Sequence, residues 1–306
     1  MNRTEKLFTI FVFLLFSFTA YIFYTRRDEI KEVTTSFILK FKNNEVIVPY
    51  DKTVNHRNYN YKTVHETDDF KPKNINDIKN IYYTVLNNGW DEFTFYCPKD
   101  YKNCSDDVKS IINEKDYITQ INNYVSPYNS YKNYNTSITN DTEIFLKVDK
   151  LYTDYDIDNI NQEIDKIFNE LNINKNNYTL DDIKQLHDYI INNTKYDKDY
   201  EDNTESISNK ASGALFHNLA LCSGYADTFS LMLDKLNIPN FKVSNNEHVW
   251  NVVLINNEWK HVDVTWDDDE RYKNNYYNFY MLTTDELLKK DNDIHAFNRE
   301  IYKEIK

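Results

Sequence analysis

Glycine is almost missing from these 306 residues: only Gly89, Gly213 and Gly224 occur. No Gly-rich phosphate loop or dinucleotide fingerprint can be built from three such scattered positions, which excludes nucleotide chemistry of those kinds. Basic clusters are missing as well. Lys and Arg number 36 against 49 Asp and Glu, a formal net charge of −13. Such a surface repels phosphate backbones, so nucleic acid is excluded as a partner. Cysteine is scarce too, and Cys97, Cys104 and Cys222 have no further ligands spaced around them for a zinc site. No cofactor and no metal is predicted. What the chain does hold is apolar and aromatic: 41% hydrophobic residues, with 26 Tyr and 18 Phe. That supply builds a sizeable core and argues for a globular fold.

The longest apolar run is residues 7–24, uncharged, led by Arg3 and Lys6 and closed by Arg26 and Arg27. As a helix it spans roughly 27 Å, close to the ~30 Å hydrocarbon thickness of a bilayer. A buried helix of this length would show a polar face, and this one shows none. A cleaved signal peptide would end in small residues, whereas this run ends Ala20-Tyr21-Ile22-Phe23-Tyr24. The reading is an uncleaved single-pass anchor at the cell membrane. Residues 1–6 then form a cytoplasmic tail and the bulk of the chain lies outside.

Residues 25–73 are polar and lack glycine, and read as a stalk with one short strand near residues 45–49. Helical periodicity begins at Ile75, continues through Ile78, Tyr82, Val85 and Leu86, and stops at Gly89. Residues 91–97 alternate as a strand, and Ser105 with Asp106 and Asp107 signals a helix start. Two strands follow over residues 133–152, then a helix with Ile157, Ile160, Ile164, Ile167 and Leu171 on one face. Thr179 and Asp182 are spaced as a capping pair for the next helix. The element order is α+β, with an N-terminal α+β part over 74–178 and a second part over 179–306. Cys97 and Cys104 bracket a short polar loop, and a disulfide there would contribute roughly 2.5 kcal/mol by loop closure. Two unpaired thiols are the alternative. Either way Cys222 is the odd cysteine.

The residues with chemistry lie after position 208. Cys222 opens a helix that Asn237-Ile238-Pro239 ends near Leu236. A helix start favours the thiolate, which suits a nucleophile; a buried structural cysteine also fits. Residues 247–255 and 258–265 read as strands joined at Asn256-Asn257, two residues that tolerate the positive φ of a tight hairpin. With Ile255 facing Glu258, counting back sets Trp250 opposite Asp263 and makes Asp263 the diagonal neighbour of His248. A carboxylate beside an imidazole fixes its tautomer and stabilises the imidazolium. His261, on the face of Asp263, is the rival base. His187 reads as structural, and residues 267–270, Asp-Asp-Asp-Glu, read as a solvated loop, since calcium sites want spaced oxygens.

Three blocks carry a resemblance: Cys222-Ser223-Gly224-Tyr225-Ala226, Glu247-His248-Val249-Trp250-Asn251, and His261-Val262-Asp263-Val264-Thr265-Trp266-Asp267. In order and spacing they resemble the bacterial transglutaminase-like domain, most closely over 179–270 and more loosely over 76–300. The resemblance implies a papain-like core, a cysteine helix packed on an antiparallel sheet, with Cys222 as nucleophile, His248 as base and Asp263 as orienter. One departure is Ala220, where many members place glycine. The implied activity is acyl transfer on an amide or peptide carbonyl through a thioester, with a protein or cell-wall peptide as substrate. The alternatives are a cysteine peptidase or amidase hydrolysing the same thioester, and a non-catalytic surface binding module.

Overall fold

The computed structural model describes residues 25, 46–49, 55–199, 206–269 and 277–305. The apolar run at 7–24 lies outside the described residues, and among the described residues no helix is long and apolar enough to cross a membrane. The described residues from 47 onward belong to one compact unit.

The first half of this unit is α1 (Ile75–Asn87), β1 (Glu92–Tyr96), α2 (Cys104–Asn113), α3 (Lys115–Asn122), β2 (Tyr131–Thr139) and β3 (Glu143–Lys150). The strands form an antiparallel sheet in the order β1-β3-β2, with Phe95 paired to Ile144 and Phe93 to Leu146. Alternation puts Phe93, Phe95, Ile144, Leu146 and Val148 inside. Tyr82, Val85 and Leu86 of α1 face Leu146 and Val148, and the Tyr82 hydroxyl bonds Thr136 Oγ1 at 2.9 Å. Cys97, just past β1, is joined to Cys104 at the start of α2 by a disulfide, with Cα atoms 5.7 Å apart. The helix begins at Cys104, one residue before the expected Ser105.

The second half holds α4 (Asp154–Glu170), α5 (Leu180–Asn193), β4 (Lys195–Tyr196), β5 (Leu219–Ala220), α6 (Cys222–Lys235), β6 (Asn240–Ser244), β7 (Val249–Ile255), β8 (Glu258–Val262), α7 (Val264–Asp267) and α8 (Thr284–Asp291). Thr179 and Asp182 close a reciprocal cap on α5, as their spacing predicts. The strands β6-β7-β8 make a second antiparallel sheet. Asn256 and Asn257 turn it at φ 50° and 64°, and Ile255 faces Glu258. Helix α6 lies on this sheet, with Phe229, Met232 and Leu233 joining Val253 and Val262 in one core with Ile164 and Ile167 of α4 and Ile183 and Leu186 of α5. Full burial of each such side chain contributes roughly 1.5–3 kcal/mol.

Residues 55–73, expected as part of a stalk, are instead packed into this unit. Tyr61 and Val64 are 3% and 0% exposed. The Tyr61 ring sits 4.7 Å from Tyr124 and 5.6 Å from Phe241 of β6, centroid to centroid. Arg57 reaches α6, where its guanidinium bonds Ser230 and Asp234. The polar surroundings of these few anchors conceal them in the sequence.

Candidate active site

Short local devices deliver the three candidate residues. The turn at 207–210 approaches the start of α6 so closely that the Leu221 N–H donates to the Ser208 carbonyl at 2.8 Å. Gly224 makes that approach feasible, because a Cβ there would sit 2.5 Å from the Ser208 carbonyl oxygen and 3.0 Å from that of Lys210. Gly224→Ala is therefore expected to cost about 1–3 kcal/mol, as overpacking against backbone does. Chemical denaturation would check this. Ala220, the departure from the resembled pattern, is fully buried in β5, and its carbonyl accepts from the Asp197 N–H at 3.0 Å. Cys222 is the free cysteine and is half-buried on the first turn of α6.

His248 stands just before β7, its backbone N–H held by Asn245 Oδ1 at 2.9 Å. The ladder of β7 and β8 ends at Asn251 and Val262, so the expected pairing of Trp250 with Asp263 is not formed. Asp263 turns away to cap α7, where its Oδ1 accepts from the Trp266 N–H at 3.1 Å. Its other oxygen, Oδ2, lies 2.6 Å from His248 Nε2. One carboxylate thus caps a helix and orients the imidazole at once. Strand β7 is tied to α6 by Asn251, whose side chain donates to the Ala226 carbonyl at 2.9 Å. The cysteine helix and the histidine strand are thereby locked together.

The electrostatics follow. Burial alone would lower the His248 pKa, but the Asp263 carboxylate and a hydrogen bond with the Cys222 side chain override it and push it up to about 10. Burial would raise the Asp263 pKa, yet His248 and His295 hold this carboxyl far below the usual carboxylate range. With Nε2 engaged by Asp263, Nδ1 is the ring nitrogen left for the sulfur. The His248 ring lies nearly parallel to that of Trp250, at 5.7 Å and 17°.

The rival candidate, His261, has both ring nitrogens engaged elsewhere. His261 is fully buried, accepts at Nδ1 from Trp250 Nε1 at 2.9 Å, and meets Thr284 Oγ1 at 3.1 Å through Nε2. Burial and the nearby His295 and Arg299 charges lower its pKa to about 3. His187 is also buried, between Asp188 and Asp267. The solvated-loop expectation for residues 267–270 fails at its first two residues. Asp267 is fully buried, bonding His187 and the Phe279 N–H, and Asp268 bonds the Tyr225 hydroxyl of α6.

The sequence reading missed His295. Its Nε2 lies 2.8 Å from the same Asp263 Oδ2 that serves His248, and its Nδ1 bonds Asp291. His248, Asp263 and His295 place ligand atoms within 4.8 Å of one another, so they are the group among the described residues with the spacing to hold a metal ion. In the structure those atoms hydrogen-bond each other.

His248, Trp266, Asn218 and Asp268 line a groove of about 1760 Å³ that also runs past Lys195–Asp199, Glu247 and Phe297.

Residues 166–264, a stretch that contains Cys222, His248 and Asp263, match the family model of the transglutaminase-like superfamily. Among solved structures the chain is similar to one described as a TGase, at 18% identity over 44% of each chain, with a TM-score of 0.33. It is also similar to a protein from Cytophaga hutchinsonii proposed to be a cysteine protease, at 14% identity over 44% of this chain and 61% of that one, with a TM-score of 0.28. The similarity spans less than two thirds of either solved chain. No curated protein matches.

Proposed function

We propose that this protein is a thiol enzyme that transfers acyl groups from an amide or peptide carbonyl through a thioester on Cys222. The observation that carries the reading is the pairing of His248 Nε2 with Asp263 Oδ2 at 2.6 Å, in a histidine that lines the groove and whose pKa the Cys222 side chain helps to raise. The Cys222 sulfur attacks the carbonyl carbon, and the C–N bond breaks as His248 passes its proton to the leaving amine. A second amine, or water, then attacks the thioester carbonyl and gives its proton to His248 while the thiolate leaves. The N–H of Cys222 is among the helix-start donors without an intrahelical acceptor, and it serves the oxyanion, with Asn218 in the groove as the second candidate donor.

An amine acceptor makes the protein a cross-linking or modifying enzyme; water makes it a peptidase or amidase. The substrate we propose is a protein or cell-wall peptide, met at the outer face of the membrane to which residues 7–24 anchor the chain. The disulfide between Cys97 and Cys104 supports an oxidising compartment. Against a non-catalytic binding module stands His248, whose pKa both Asp263 and Cys222 raise.

The test is the rate of iodoacetamide labelling of Cys222 in folded protein, read by mass spectrometry at pH 6. The expected rate is about tenfold or more above that of an unassisted thiol, as paired thiolates show. Labelling at the ordinary rate across pH 5 to 8 sinks the catalytic reading. Incubation with a primary-amide peptide and an amine reporter then separates the outcomes: incorporation means transfer, ammonia release alone means hydrolysis.

A further inference from the structure

We propose that His295 is a positioning residue for the thiol site, acting through Asp263. The inference rests on the reading of Cys222, His248 and Asp263 given above.

Asp263 Oδ2 accepts from two imidazoles, His248 at 2.6 Å and His295 at 2.8 Å. A carboxylate rotates about a broad, weakly restrained torsion unless its oxygens are pinned. Oδ1 is pinned by the cap on α7, and His295 adds a second restraint on the same Oδ2 that meets His248. His295 is itself rigid. Its ring is 0% exposed, its Nδ1 bonds Asp291, and its own backbone N–H donates to Asp291 Oδ2 at 3.0 Å. Edge-on contacts hold the ring at 4.7 Å from Trp250 and 4.5 Å from Trp266, centroid to centroid. Trp250 is the ring that lies against His248. A buried imidazole with one nitrogen on the orienting aspartate and the other on a second aspartate is the arrangement by which outer-shell partners fix a functional ligand.

A histidine that merely fills the core would affect stability and labelling independently of Asp263. One that acts through Asp263 loses its effect once that carboxylate is gone. The experiment is a double-mutant cycle on iodoacetamide labelling of Cys222, in full-length protein, with circular dichroism confirming the fold. His295→Ala is expected to slow labelling about 10- to 100-fold, the usual cost of removing an outer-shell partner. His295→Gln, whose amide N–H can reach the same oxygen, is expected to restore most of the rate. In an Asp263→Asn background His295→Ala should change the rate by less than about twofold. If His295→Ala does not fold, Asp291→Asn, which keeps the ring but withdraws its charged acceptor, takes its place in the same cycle. Additive losses with a reactive wild-type thiol overturn the role of His295 alone. A wild-type Cys222 that labels as an ordinary thiol overturns the site reading and this inference together.

Discussion

Asp263→Asn is expected to slow Cys222 labelling near neutral pH by about 10³- to 10⁴-fold, the scale seen when a triad aspartate is made neutral. The geometry says how. The Asn oxygen can keep the cap on the Trp266 N–H, where Asp263 Oδ1 now sits 3.1 Å away. The amide NH₂ then takes the place of Oδ2 and donates to His248 Nε2. That obliges the proton to sit on Nδ1, the nitrogen that must accept from the thiol. The wrong tautomer is held in the right place. The pH dependence shifts as well. The His248 pKa is raised from 6.5 to about 10 against the lowering effect of burial, with Asp263 the largest contributor to the rise. Stability from this pair is fully present below the unfolded value near 6.5 and is lost as pH rises through about 10. In the Asn variant that alkaline limb moves to lower pH, which pH-dependent thermal unfolding reads. His261→Gln, by contrast, should leave labelling within about threefold while lowering stability by about 1–3 kcal/mol, since it disturbs buried bonds to Trp250 and Thr284. Loss of reactivity in His261→Gln with Asp263→Asn unaffected would reverse the assignment.

Where local rules govern, the sequence was readable. The capping pair at Thr179 and Asp182, the Asn256-Asn257 turn and the register it sets all follow from neighbours within a few residues. The register pairs Val252 with His261, but it stops at Asn251 and Val262, short of the Trp250–Asp263 pair counted from the turn. Strand β6 and helix α3 escaped because both are short: Asn240-Phe241-Lys242-Val243-Ser244 alternates for only five residues, and its polar Asn240 and Lys242 are buried rather than solvent-facing. His295 escaped for a different reason. It meets Asp263 across 32 residues of chain, and only its spacing of four from Asp291 hinted at a held ring. Asp263 divides its carboxylate between two environments, Oδ1 on the α7 cap and Oδ2 on His248 and His295.

The segment misread as a stalk carries the largest expected effect on stability. Arg57→Met should destabilise the protein by about 3–5 kcal/mol, the cost of breaking a buried, hydrogen-bonded charge pair. The Arg57 side chain is 8% exposed; its Nε bonds Asp234 Oδ1 at 3.1 Å, and Nη2 reaches Ser230 Oγ at 2.7 Å. Nη1 donates to the carbonyls of Tyr124 and Asn240 at 3.2 and 2.9 Å. Methionine matches much of the length but supplies none of these donors. Some acceptors keep other partners: the Asn240 carbonyl still has the Tyr61 hydroxyl, and Asp234 still has Ser126 and Asn240. The unrelieved loss is therefore concentrated on the Tyr124 carbonyl and on Asp234 without its countercharge. Arg57 grips the C-terminal half of α6, twelve residues from Cys222 and thus roughly 18 Å along the helix. Labelling of Cys222 should stay near the wild-type rate under conditions where Arg57→Met remains folded. Removal of residues 1–73 should go further and abolish folding, because it strips Tyr61 and Val64 from the core along with the clamp. Unchanged denaturation midpoints in Arg57→Met and in the shortened chain would restore the view of residues 55–73 as a loose tether.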